Sequence, residues 1–160
     1  MMALMENQDS HEIAKYYLAK GIEYERSNDW HGAVQCYLNV LASSTQHPAF
    51  LYFANNNLAY SLIQLGQFDQ AKPYCLEAIT IDEQRHNAHK NLGLVCRCQN
   101  HWLEAALCFA KAYKLAPKDE RSWHLLHALI AQKPELVFQS LELREAMIEL
   151  NFGKLHDNAQ

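Results

Sequence analysis

No run of roughly 18 apolar residues occurs anywhere in this chain, so it offers no transmembrane helix and no membrane insertion is expected. The Met1–Leu4 start lacks both a basic flank and an apolar core of useful length, so no secretory leader is expected. The five cysteines are an odd number without a paired framework, which points to a reducing, cytoplasmic setting. Five glycines and four prolines are few for 160 residues, and there is no low-complexity stretch. That sparsity, with Ala, Leu, Gln and Glu abundant, reads as an ordered all-α chain. A basic excess is missing too: the net charge is −4, which argues against general nucleic-acid binding. No Gly-rich phosphate loop, nucleophile elbow or paired-carboxylate motif appears, so neither an enzyme nor a cofactor is expected.

What the chain does have is a repeat. Leu58-Ala59, Gly66-Gln67-Phe68, Ala71 and Ala78 recur 34 residues later as Leu92-Gly93, Asn100-His101-Trp102, Ala105 and Ala112. A fixed period of this length with small residues at set places is the signature of stacked helix–turn–helix units. One such unit cannot bury its own apolar face, so units must stack. A stack presents an extended surface rather than a closed catalytic pocket, and the implied function is holding another chain.

The small residues have a physical meaning of their own. Gly21, Ala59 and Gly93 fall on the first helix of each pair, and Ala33, Ala71 and Ala105 on the second. A side chain of one methyl or less lets two helix axes approach closely, while Tyr24, Tyr37 and Phe109 fill the space beside the contact. The spacing from Ala33 to Ala71 is 38, so about four extra residues sit in the Ser43–Pro48 connection.

These motifs resemble the tetratricopeptide repeat family, whose pattern places W-x2-L-G-x2-Y before A-x3-F and a later P. The unit from His86 to Asp119 has Leu92-Gly93, Ala105-x3-Phe109, Ala112 and Pro117, with Cys96 in place of the Tyr and His89 in place of the Trp. The unit from Tyr52 to Arg85 has Leu58-Ala59, Ala71-x3-Cys75 and Ala78. A first unit has Gly21-x2-Tyr24, Ala33-x3-Tyr37 and Val40, and a degenerate fourth starts with Trp123-x2-Leu126. The resemblance implies a right-handed superhelical solenoid of three helix pairs plus a degenerate fourth pair that caps the carboxyl end. Its expected bounds are repeats at 14–47, 52–85, 86–119 and 120–150 in one domain over 10–153, between tails at 1–9 and 154–160.

Element ends follow from local signals. Asp9-x-x-Glu12 reads as a cap for the first helix, Asn28-Asp29 as a turn, and Gly66 as a carboxyl-terminal glycine. Pro73 falls near the first turn of its helix, where proline is tolerated. A last amphipathic helix is expected over Pro134–Leu150, carrying Leu136, Val137, Leu141, Met147 and Ile148.

In the resembled family the inner faces of the first helices line a concave groove, often with Asn at the sixth place of a unit gripping a ligand backbone. Here those places hold Asn57 and Asn91 on consecutive repeats. An amide offers both donor and acceptor, which suits a peptide bond, although an Asn bonded only to its neighbours would look the same in sequence. By the same resemblance the groove holds Leu18 and Ile22 from the first unit, and Phe53, Asn56, Asn57 and Tyr60 from the second. The third and fourth add Lys90, Asn91, Leu94, Arg97, Arg121 and His124. One end is apolar and aromatic and the other basic, which suits a peptide or helical segment of another protein with a hydrophobic anchor and an acidic part.

The charge distribution agrees with that basic end. Residues 85–121 carry 7 basic and 3 acidic side chains, against 4 and 10 in residues 1–84 and 3 and 5 in residues 122–160. Ordinary surface variation would produce the same island.

Some co-chaperones of the family hold an acidic tail by a two-carboxylate clamp of Lys and Asn, then Asn, then Lys and Arg, across three units. That clamp is incomplete here. Starting from the first unit, Leu18 and Ile22 replace Lys and Asn, Asn57 fits, and Asn87 and Asn91 replace the last basic pair. Starting from the second, Asn56 and Tyr60 do not fit, Asn91 does, Arg121 is acceptable and Leu125 is not. A small chaperone for a specific client is the alternative function, and a monomer or weak homodimer is the expected state.

Metal chemistry is the remaining reading. Cys96-x-Cys98 with His101 nearby invites it, but residues two apart on a helix point about 200° apart and cannot share one ion without unwinding. The pairs His86/His89 and His124/His127 each share a helix face but lack an evident third ligand. No metal site is expected.

Overall fold

A computed structural model describes the backbone of residues 2–157 and the side chains of residues 10–150. Among them are nine α-helices and no strand, so the protein is all-α, with one helix more than the eight expected. The chain divides into two compact units, the first ending at Glu83 and the second beginning at Gln84.

The first unit contains α1 (Met2–Arg26), α2 (Trp30–Ala42), α3 (Pro48–Gln64) and α4 (Phe68–Ile81). Each helix packs on the next, and α1 also touches α3. The second unit contains α5 (His86–Cys98), α6 (Trp102–Leu115), α7 (Glu120–Gln132), α8 (Leu136–Gln139) and α9 (Leu141–Asp157). There α6 is the centre, packed against α5, α7, α8 and α9.

Three turns between paired helices share one construction. Asn28, Gly66 and Asn100 all have positive φ, at 59°, 72° and 62°. After each of them the chain turns back on the helix it has left. Asp29 N donates to Tyr24 O, Gln67 N to Leu62 O and His101 N to Cys96 O, each at 2.9 Å. This is the six-residue closing bond of a Schellman ending, and it needs a residue at ease in the left-handed region. Glycine is one such residue, and asparagine tolerates the conformation because its short amide can bond locally. The next helix starts at once, with Asp29 capping α2 by accepting from Gly32 N at 2.9 Å.

The connection expected to hold extra residues runs through Ser43 and Ser44 to His47, and α3 starts with Pro48 in its first turn. Thr45 is buried in it and accepts from His47 N at 3.3 Å. The rings of His11, His47 and Phe50 meet edge-on or tilted, with centroids 4.5–5.2 Å apart.

Four local expectations are corrected. Residues from Met2 onward are helical, so Asp9 lies inside α1 instead of capping it. Pro73 sits in the body of α4, five residues beyond Phe68, where its missing N–H removes an intrahelical bond. The single last helix is two: the backbone of Ser140 is extended, and its hydroxyl accepts from Leu143 N at 3.2 Å, so Ser140 caps α9 anew. That helix then continues through Gly153 to Asp157.

Candidate functional site

In the first unit, α1 and α3 carry the candidate residues. Ile22 and Phe53 are exposed, Tyr60 and Asn57 are half-buried, and Leu18 and Asn56 are nearly sealed. Tyr60 stands edge-on to Trp30 of α2 (5.8 Å), and Phe53 edge-on to Tyr52 (5.6 Å). The apolar residues the sequence assigned to this end therefore do reach solvent at Ile22 and Phe53.

The amides are not free. Asn57 Nδ2 donates to Tyr37 Oη at 3.4 Å, and Asn57 Oδ1 accepts from Asn56 Nδ2 at 2.9 Å. Tyr37 in turn donates to Glu25 Oε1 at 2.9 Å. Glu25, Tyr37, Asn57 and Asn56 thus form one chain of polar groups linking α1, α2 and α3. Burial raises the Glu25 carboxyl above its ordinary value despite the Tyr37 hydrogen bond that opposes the shift. The Tyr37 hydroxyl is pushed up as well, first by burial and then by the Glu25 charge.

In the second unit the amino-terminal turns of α5 and α7 meet. Asp119 caps α7 through Arg121 N at 3.2 Å, and its carboxylate holds the Arg121 guanidinium on both oxygens, with Nε at 2.8 Å. His86 Nε2 lies 3.0 Å from the same carboxylate. The Arg121 hydrogen bond is the main reason that Asp119 titrates well below the usual carboxylate range.

Lys90 lies beside this group and is only 8% exposed. Its Nζ donates to Asn87 Oδ1 at 3.0 Å and forms no salt bridge with any described residue. Burial lowers its pKa, the nearby Arg121 cation lowers it further, and Asp119 partly opposes both. Here, then, is a desolvated cation without a counter-ion of its own. Sequence reasoning picked out Lys90 but not its burial, and it missed Asn87 and His86 as partners of the basic cluster.

Of the remaining candidates, Leu94 and Arg97 are half-buried and His124 is exposed with Glu120 Oε2 3.8 Å away. Asn91 is 2% exposed. Asn57 and Asn91 therefore share a place in the repeat but not an environment: one amide is half-open and bonded within its unit, and the other is closed off.

Cys96 is buried and Cys98 exposed, on different sides of α5 as helix geometry requires. No disulfide joins any of the five cysteines. Among the described residues no three His, Cys, Asp or Glu groups converge on a metal position, and no helix is long and apolar enough to cross a membrane.

The family description that matches this chain is "Tetratricopeptide repeat", over residues 51–118. No curated protein matches the sequence. Solved structures are similar in fold. The first TPR domain of human RPAP3 has a TM-score of 0.70 at 16% identity, covering 80% of this chain and 98% of that one. The first TPR of Spaghetti (RPAP3), bound to the HSP90 peptide SRMEEVD, gives 0.69 at 18%, covering 77% and 94%. The Hsp90 co-chaperone Cns1 from Saccharomyces cerevisiae gives 0.74 at 20%, covering 94% of this chain and 49% of that one.

Proposed function

Because this chain carries tetratricopeptide repeats, we propose that it is a non-enzymatic protein–protein interaction module that holds a peptide or helical segment of a partner, with acidic side chains of that segment meeting Lys90. The observation that carries this reading is the buried charge of Lys90, which Asp119 offsets only in part and which no salt bridge pairs. Desolvating an ammonium costs free energy unless an opposite charge compensates it, and the Asn87 amide supplies only a dipole. A carboxylate delivered by a partner would restore the missing counter-charge. It would also meet a region where burial strengthens the attraction.

Arg121 and Arg97 surround the site and steer acidic segments toward it, while Asp119 holds the Arg121 guanidinium in one orientation. On the first unit, Ile22, Phe53 and Tyr60 offer the apolar anchor surface. Asn57 presents its remaining hydrogen-bonding capacity beside them. The similarity to a domain solved with SRMEEVD supports an acidic ligand, and the incomplete two-carboxylate clamp argues for a different arrangement of contacts on it.

The test is calorimetric titration of the full chain with SRMEEVD and related acidic peptides, each beside a version with its acids amidated. Acidic peptides should bind and amidated ones should not, and Lys90→Met should weaken binding roughly tenfold without changing the melting temperature downward. Equal binding of acidic and amidated peptides, or a Lys90→Met chain that binds as well as wild type, would overturn the reading.

A further inference from the structure

The repeat allows one helix face to be compared with its own equivalents. On α3, which packs against both α2 and α4, the stripe Ala54, Leu58 and Ser61 is completely buried. On α7, packed against α6, the residues at the same places are Ser122, Leu126 and Leu129, and they are buried too. Residues spaced i, i+4, i+7 lie on one side of a helix. On α1 those places hold Tyr16, Lys20 and Glu23, and Ile13 continues the stripe one turn earlier. Here the stripe is open: Tyr16 is 61% and Ile13 45% exposed, and Lys20 and Glu23 pair with each other in solvent at 3.1 Å. A face that is sealed by a helix in α3 and α7 is without one in α1.

We propose that this stripe is a self-association surface on which two copies of the chain pair their α1 helices antiparallel, about a two-fold axis between Ile13 and Tyr16. The proposal goes beyond the peptide-binding reading and uses none of its residues. The stripe is self-complementary only in that arrangement. The two-fold places Ile13 of each copy on the partner's Tyr16, so the apolar contact is made twice. Lys20 then lies over the turn that carries the partner's Glu12, and opposite charges meet at both ends of the seam. A parallel pairing would set Lys20 against the partner's Lys20. Tyr16, already edge-on to Tyr17 at 5.2 Å, offers a broad ring at low entropic cost.

The size of the seam sets its strength. At 25 residues α1 is longer than α3, with 17, and about 37 Å long. A single helix face of that length buries less than the roughly 800 Å² per partner of a standard interface, so the dimer is weak and depends on concentration.

Sedimentation equilibrium of the full chain, from about 5 to 500 µM and with no ligand present, tests this independently of peptide binding. Wild type should pass from monomer to dimer within that range. Tyr16→Glu should weaken the dimer at least roughly tenfold with an unchanged melting curve, because the side chain supports no interior contact. Phe138→Glu, at a still more exposed aromatic in the second unit, should leave the dimer intact. A chain that stays monomeric throughout overturns the proposal and leaves the stripe to a helix of another protein. A dimer that survives Tyr16→Glu, or that Phe138→Glu weakens as much, also overturns it.

Discussion

Gly93 lies directly under the ring of Phe109: a Cβ placed on it would fall 2.5 Å from Phe109 Cε1. The same relationship joins Gly21 and the ring of Tyr37, again at 2.5 Å. At the equivalent places of the remaining unit, Ala59 and Cys75 are both fully buried. Size is exchanged across the helix pair. Where the second helix brings an aromatic ring the first must bring no side chain, and where it brings a thiol the first can bring a methyl.

Gly93→Ala should therefore destabilise the protein by about 1–3 kcal/mol through overpacking, although the same change in an open helix would stabilise by about 1 kcal/mol. Urea denaturation measures it. Cys75→Phe should be similarly costly alone and regain most of the loss when combined with Ala59→Gly. A stabilised Gly93→Ala chain, or a double mutant no better than Cys75→Phe, would show that ring and backbone do not compete for that space.

Asn57 is set to cost stability when it is removed. Asn57→Ala leaves the Asn56 amide and the Tyr37 hydroxyl each one partner short, and an unsatisfied group that is largely buried costs about 1–3 kcal/mol. Thermal melts of Asn57→Ala beside Tyr37→Phe decide it: matching losses would place the amide in the internal network, and an unaltered melting temperature would return it to the ligand.

Two carboxyls give opposite pH slopes. Glu25 has a raised pKa in the folded state, so its contribution is fully present below the ordinary glutamate value of 4.5 and is lost as pH rises through the folded value. Asp119 has a lowered pKa, so its contribution is present above the ordinary aspartate value of 3.8 and is lost as pH falls through the folded one. Glu25→Gln should accordingly gain stability relative to wild type as pH rises past 4.5 and lose that advantage in acid. Asp119→Asn should show its deficit near neutrality and lose it in strong acid. Melting temperatures across pH check both, and parallel curves for Glu25→Gln and wild type would remove the buried-carboxylate account.

The carboxyl-terminal helices close the second unit. Leu136 of α8 and Leu143 of α9 are buried with Ala106, Phe109, Ala110, Leu126 and Leu129. Leu143→Ala should cost about 2–5 kcal/mol. Deleting residues 134–160 should bare that cluster and cause aggregation. If the truncated protein stayed a soluble monomer with the same melting temperature, α8 and α9 would not be a cap.

The sequence by itself determined the helix pairs, their period and their turns, because each depends on groups within a few residues of one another. The 34-residue recurrence, the left-handed positions at Asn28, Gly66 and Asn100, and the small residues at Gly21, Ala59 and Gly93 are local facts. The divergence of Cys96 from Cys98 is equally local. The break at Ser140 could have been read the same way, since a serine ahead of Glu142 is a cap signal. What only the tertiary structure decided is which side chains meet across the fold. Asn57 finds Tyr37 twenty residues away, and Tyr37 finds Glu25 on a third helix. Lys90 and Asn91 are nearly closed off from solvent, while Asn57 stays half-open. A helical period sets the side of the helix on which a residue sits; burial, pKa and hydrogen-bond partners depend on remote helices, whose arrangement no local pattern encodes.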